Sequence, residues 1–166
     1  MERTLFDLFS ENPMGPVLFR GEWVHRIQVL TITEPITLSL RFIKFSQPPR
    51  QGVSISAQKC ELSVLGITSK DFILWADDYD QELDINIVNP KPGAEVKFWN
   101  AYNIGYGIDA WLNECGMIFK EVQGPIKAQR ALCSDGVGPA DFNSLAFEWR
   151  LKPLRKHTRD RDSNQS

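Results

Sequence analysis

Histidine is nearly missing from this chain of 166 residues, and cysteine is sparse: His25, His157, Cys60, Cys115 and Cys133 are all it carries. A serine or cysteine triad needs a base held by a third group, and only His25, inside a strand-like run, is placed to be that base. A zinc site would need His25 and all three cysteines to converge from separate strands with no short-range ligand pair. The expectation is a structural His25 and no catalytic residue of these types. Three cysteines without a CxxC make no disulfide framework and point to reduced, buried thiols.

Long hydrophobic runs are also lacking. No stretch approaches the ~20 apolar residues that span a bilayer, and the first fifteen residues, MERTLFDLFSENPMG, carry acids inside their apolar part and no small-residue cleavage pattern. A soluble, cytoplasmic protein is expected. The net charge of −2 leaves no excess of either sign, so nothing global draws the chain to nucleic acid or to an anionic membrane. No internal repeat is visible.

What the chain has in plenty is alternation. In Val96–Tyr102 the residues Val96, Phe98, Asn100 and Tyr102 share one face, opposite Lys97, Trp99 and Ala101. Aromatic and β-branched residues at period two fit a pleated, half-buried surface. Gly105 and Gly107 permit a reversal, Gly107–Leu112 reads as a returning strand, and Met117–Val122 follows the turn at Asn113–Gly116. Three strands in this span form a meander, and a helix across it would carry Gly105, Gly107 and Gly116 at roughly 1 kcal/mol each.

Similar signals run along the rest. Trp23–Ile32 is apolar on both faces and reads as one central strand, and Ile36, Leu38, Leu40 and Phe42 make a clean amphipathic one. Val53, Ile55 and Ala57 alternate with serines, but the apolar phase then shifts to Cys60, Leu62 and Val64, which predicts a bulge or break near Gln58–Lys59. Phe72–Trp75, Leu83–Ile87, Ile126–Leu132 and Leu145–Leu151 supply further strands, with Trp23, Trp75 and Trp149 read as core. Leu5, Phe6 and Phe9 sit at helical spacing and predict a short helix or arm over residues 1–13 that packs on the body or clamps a neighbour. Past Pro153 the chain has one apolar residue in thirteen, so residues 153–166 read as a disordered tail. Residues 14–152 are expected to form an all-β antiparallel sandwich, of which a jelly roll is one arrangement.

Three stretches carry candidate chemistry. Asp77, Asp78, Asp80, Glu82 and Asp84 form an acidic run, which reads as an edge-protecting, solvated loop or as a source of the paired carboxylates of a glycoside hydrolase. Asp135, Asp141 and Asn143 line a glycine-containing loop that could fold oxygens around a hard cation such as calcium; the alternative is that they bond their own backbone as turn formers. Trp99, Tyr106 and Trp111 belong to the predicted hairpin, either as core or as a flat aromatic platform for a sugar or an apolar partner.

One of these stretches has a counterpart. Asp141-Phe142-Asn143, then Leu145 and Phe147, resembles the Asp-Phe-Asn-Asp-Leu-Val-Phe signature of β-sandwich domains in bacterial secreted and surface proteins, with Ser144 standing where the pattern has a second aspartate. The resemblance covers residues 135–147 and implies calcium as the associated ion. No other cofactor is expected. The leading functional reading is a non-enzymatic recognition module that binds a carbohydrate or protein partner through its loops and aromatic hairpin. The alternatives are a carboxylate- or metal-dependent hydrolase and a structural subunit of an assembly.

Overall fold

The computed structural model describes residues 2–154, so the expected tail lies, beyond its first two positions, outside the described residues. Helix α1 (Leu5–Glu11) opens on a capping box: Asp7 N–H donates to Thr4 Oγ1 at 3.2 Å, and Thr4 N–H donates to Asp7 Oδ2 at 3.1 Å. Each bond satisfies a backbone donor that the helix start leaves free. A hairpin follows, β1 (Val17–Phe19) against β2 (Glu22–Val24). None of the described helices is long and apolar enough to cross a membrane.

The remaining strands form two antiparallel sheets. One has four strands in the order β3 (Gln28–Ile32), β10 (Ala94–Asn103), β5 (Arg50–Gln58), β8 (Asp71–Trp75). The other has seven, in the order β11 (Gly116–Val122), β12 (Ala128–Ser134), β13 (Leu145–Pro153), β4 (Ile36–Phe45), β9 (Leu83–Val88), β6 (Glu61–Val64), β7 (Ile67–Ser69). The inner faces meet in one core, in which the Phe98 ring from the four-stranded sheet lies 6.0 Å from Phe147 and 5.2 Å from Trp149 of the other. Each such ring or leucine side chain, fully buried, contributes about 1.5–3 kcal/mol. This is the expected sandwich.

A second, smaller core backs the outer face of β11 and β12. Leu5 and Phe9 of α1 pack there with Val17, Phe19, Val24 and Ile118, and Phe142 lies against them. The N-terminal segment is therefore docked on its own body.

The expected break after Gln58 is a change of sheet. Lys59 takes a positive φ of 60°, β5 ends in one layer, and β6 begins in the other, so the shifted apolar phase keeps Cys60, Leu62 and Val64 facing the same interior from the opposite side.

Three expectations need correction. Trp23–Ile32 is two strands: His25 bridges Met117, and the chain then leaves the hairpin for the four-stranded sheet, because the two ends of the run serve different cores. Trp23 consequently stands 57% exposed on the hairpin, and Trp75 is half-buried under the Arg50 guanidinium, 4.7 Å from its ring; Trp149 alone of that trio is buried. Gly107–Leu112 is a loop whose backbone pairs with β10 only at the Tyr102–Asp109 bridge, since Trp111 at φ 59° and Asn113 at φ 49° cannot hold a pleat.

Candidate functional site

The loop 104–115 leaves one end of β10 and is pinned at its base. Tyr102 and Asp109 exchange both backbone bonds, at 3.0 and 2.8 Å. Asn113 Nδ2 donates to the Gly136 carbonyl at 3.2 Å, and Glu114 Oε2 accepts from Phe6 N–H of α1 at 3.0 Å. Between these anchors the side chains are displayed: Tyr106 at the tip is 95% exposed, and Ile104, Ile108 and Leu112 are each exposed.

Trp111 is fixed more tightly than its neighbours. Its ring centroid lies 4.7 Å from that of Trp99 at an interplanar angle of 40°, and its indole N–H donates to the Arg26 carbonyl at 3.0 Å. Trp99 points outward from β10 and is half-buried beneath it, while Trp111 keeps 41% of its surface open. The structure thus brings Trp99 and Trp111 together, though across a loop instead of a hairpin. Tyr106 pairs with no other aromatic ring among the described residues.

Beside Trp111 lies a cleft of about 240 Å³ lined by Pro13, Met14, Arg26, Ile27 and Trp111. Arg26 was not among the candidates read from sequence. The signal was present: it is the only charged side chain between Trp23 and Thr33, a lone cation inside an apolar run. Its guanidinium sits 4.4 Å above the Phe9 ring, its Nε is enclosed without a partner, and burial lowers its pKa.

Asp135, Asp141 and Asn143 are placed on the loop between β12 and β13, each bonded within the protein. Buried Asp135 accepts from Gln51 Nε2 at 2.8 Å and from Val137 N–H at 3.0 Å. Asp141 Oδ1 accepts from both the backbone and the side-chain N–H of Asn143, and Asn143 Oδ1 accepts from Lys44 Nζ at 3.4 Å. The Asp141–Asn143 bonds are those of a turn former. Among the described residues, no three His, Cys, Asp or Glu side chains cluster as metal ligands would. The same end of the molecule holds a buried polar network in which Asn100 Nδ2 donates to the Ser134 carbonyl at 2.9 Å and to Cys115 Sγ at 3.4 Å.

The acidic run is dispersed. Asp77 and Asp78 pair with Arg50 at 2.8 and 3.1 Å. Glu82 accepts from Ser39 Oγ and is flanked by Arg150 and Lys152, and it lines a groove of about 260 Å³ together with Glu148, which is held by Arg130 and Arg41. The Ser39 hydroxyl, then the cations, keep the Glu82 carboxyl below the ordinary carboxylate range; Arg130 first, then Arg41, does the same for Glu148. A general acid must hold its proton near the working pH, and these groups are held ionised.

The nucleophile candidates are placed in the opposite state. Burial raises the Cys115 thiol to about 11 and Cys133 well above its ordinary value, and raises Cys60 as well, so all three rest as thiols while the nucleophile is the thiolate. His25 packs on Phe119 with ring centroids 5.0 Å apart, and burial lowers its pKa. Compared with known proteins, the chain matches no family model, no curated protein and no solved structure.

Proposed function

We propose that the protein is a non-enzymatic recognition module that binds a protein partner through the loop 104–115. The observation that carries the reading is Trp111, a large apolar residue held at positive φ and still 41% open to solvent. A bulky side chain in that region of backbone space costs about 1–3 kcal/mol, and such strain collects at binding sites. The ring is also pre-ordered by Trp99 and by the Arg26 carbonyl, which lowers the entropy lost on association. Tryptophan and tyrosine anchors surrounded by aliphatic side chains are the usual centre of a protein interface.

A carbohydrate ligand fits less well. Sugar recognition needs an open ring face with polar groups fixed around it, whereas one face of Trp111 lies against Trp99 and its other neighbours are mostly aliphatic. The lowered pKa values of Glu82 and Glu148 count against either as a general acid, and the raised pKa values of the three thiols count against a ready thiolate nucleophile. Free, buried cysteines suit a reducing, cytoplasmic setting.

The test is a displayed-peptide selection on the full chain, with a glycan array run in parallel. Peptides with aromatic or aliphatic anchors should be enriched, and should lose about tenfold or more in affinity on Trp111→Ala and on Tyr106→Ser. Tyr106 is so exposed that its variant must keep the wild-type unfolding midpoint, which separates lost binding from lost fold. Glycan binding with no peptide enrichment, or peptides indifferent to both variants, would overturn the reading.

A further inference from the structure

Resting on that reading of the loop, we infer that the cleft beside Trp111 receives an apolar side chain flanked by a carboxylate on a segment of a partner protein, with Arg26 as the carboxylate's seat. Four walls of the cleft, Pro13, Met14, Ile27 and Trp111, are apolar, and Arg26 is the single charge. At about 240 Å³ the space is smaller than the roughly 300–1,000 Å³ of small-molecule pockets. It suits one anchoring side chain with its neighbours outside.

Arg26 supplies the charge complementarity. Among the described residues its side chain makes no ion pair, although other arginines of the chain do. Its Nε is enclosed without an acceptor. A guanidinium offers five donors in a planar fork that matches a carboxylate, and a partly desolvated cation without an anion is costly. The side chain is also aimed: Phe9 of α1 supports the guanidinium from one side, and the Trp111 indole holds the Arg26 backbone.

The source of the anion is a protein side chain and not a polyanion. Nucleic acids and anionic membranes are held by many cations at once, whereas the cleft offers Arg26 alone and the loop beside it carries Asp109 and Glu114.

The experiment uses the full chain labelled with ¹⁵N, following the Trp111 indole resonance during titration with acetyl-Asp-Leu-Asp-amide. Acetyl-Asn-Leu-Asn-amide removes the charge, acetyl-Asp-Gly-Asp-amide removes the anchor, and inorganic phosphate supplies an anion alone. The acidic leucine peptide should shift the resonance and bind about tenfold tighter than either relative. Arg26→Gln should erase the preference for acid over amide, and Arg26→Lys, which keeps the charge without the fork, should retain part of it. Equal affinity for the acidic and amide peptides, a preference that survives Arg26→Gln, or a shift by phosphate as strong as by peptide would overturn the carboxylate seat. Those results leave the loop reading standing, because the leucine anchor still binds. If no peptide shifts the resonance the inference falls, and the displayed-peptide selection then decides the loop reading independently.

Discussion

At the scale of single residues, Gly136 shows how little room the loop between β12 and β13 has. A Cβ there would fall 2.0 Å from the Tyr102 hydroxyl and 2.9 Å from the Leu112 carbonyl. Overpacking of this kind typically costs about 1–3 kcal/mol, so Gly136→Ala should lower the urea midpoint accordingly. Adding Tyr102→Phe removes the nearest atom but not the Leu112 carbonyl, so it should return part of the loss; full additivity of the two changes would refute the contact. The same tyrosine hydroxyl is pushed up to about 12, by burial first and then by Cys115, Asp109 and Asp135. Gly136 was legible as a loop former, because glycine beside aspartate marks a turn. Its approach to Tyr102 was not, since contact between residues so far apart in the chain leaves no local trace. Arg26 shares that limit: its isolation in an apolar run can be read, but the Phe9 ring beneath it belongs to another element.

Among the elements, α1 illustrates what periodicity does and does not convey. Leu5, Phe6 and Phe9 share helical spacing, yet Leu5 and Phe9 are fully buried and Phe6 stays 53% exposed. Phe9→Ala should therefore cost about 3–5 kcal/mol, while Phe6→Ala should stay within about 0.5 kcal/mol, both read from chemical unfolding. Equal losses would mean that the helix does not dock in this register. The strands with one clean apolar face, such as Ile36–Phe42 and Leu83–Ile87, were readable because a buried face imposes period two. The phase shift at Gln58–Lys59 was readable for the same reason, and the structure adds that it marks a change of layer. Gly107–Leu112 misled because its alternation is real in sequence, while the backbone at Trp111 and Asn113 takes a left-handed turn that side-chain pattern does not encode. The aromatic candidates were found from their residue type, but the pairing of Trp99 with Trp111 depends on that turn.

For the whole molecule, the shifted groups set a stability profile with two steps. Burial lowers the His25 pKa, so the folded form resists protonation and the unfolded chain, with its ordinary value near 6.5, does not. Stability is then full above about pH 6.5 and declines as pH falls through and below that value. Glu82 and Glu148 are depressed below the ordinary 4.5, so their contributions are present above that value and are lost as pH falls further. Urea midpoints measured from about pH 8 to about pH 3.5 should show both limbs, and His25→Gln should flatten the first while leaving the second. A first limb unchanged in that variant would assign the loss to other groups. The last described strand, β13, joins β12 to β4 in the interior of the seven-stranded sheet. A growing polypeptide thus reaches Ser134 with β12 and β4 each still presenting a bare row of amides and carbonyls, and only the emergence of Leu145–Pro153 stitches the two together. Until then the nascent chain carries two sticky edges at once, which makes the stretch before β13 emerges the one most exposed to aggregation.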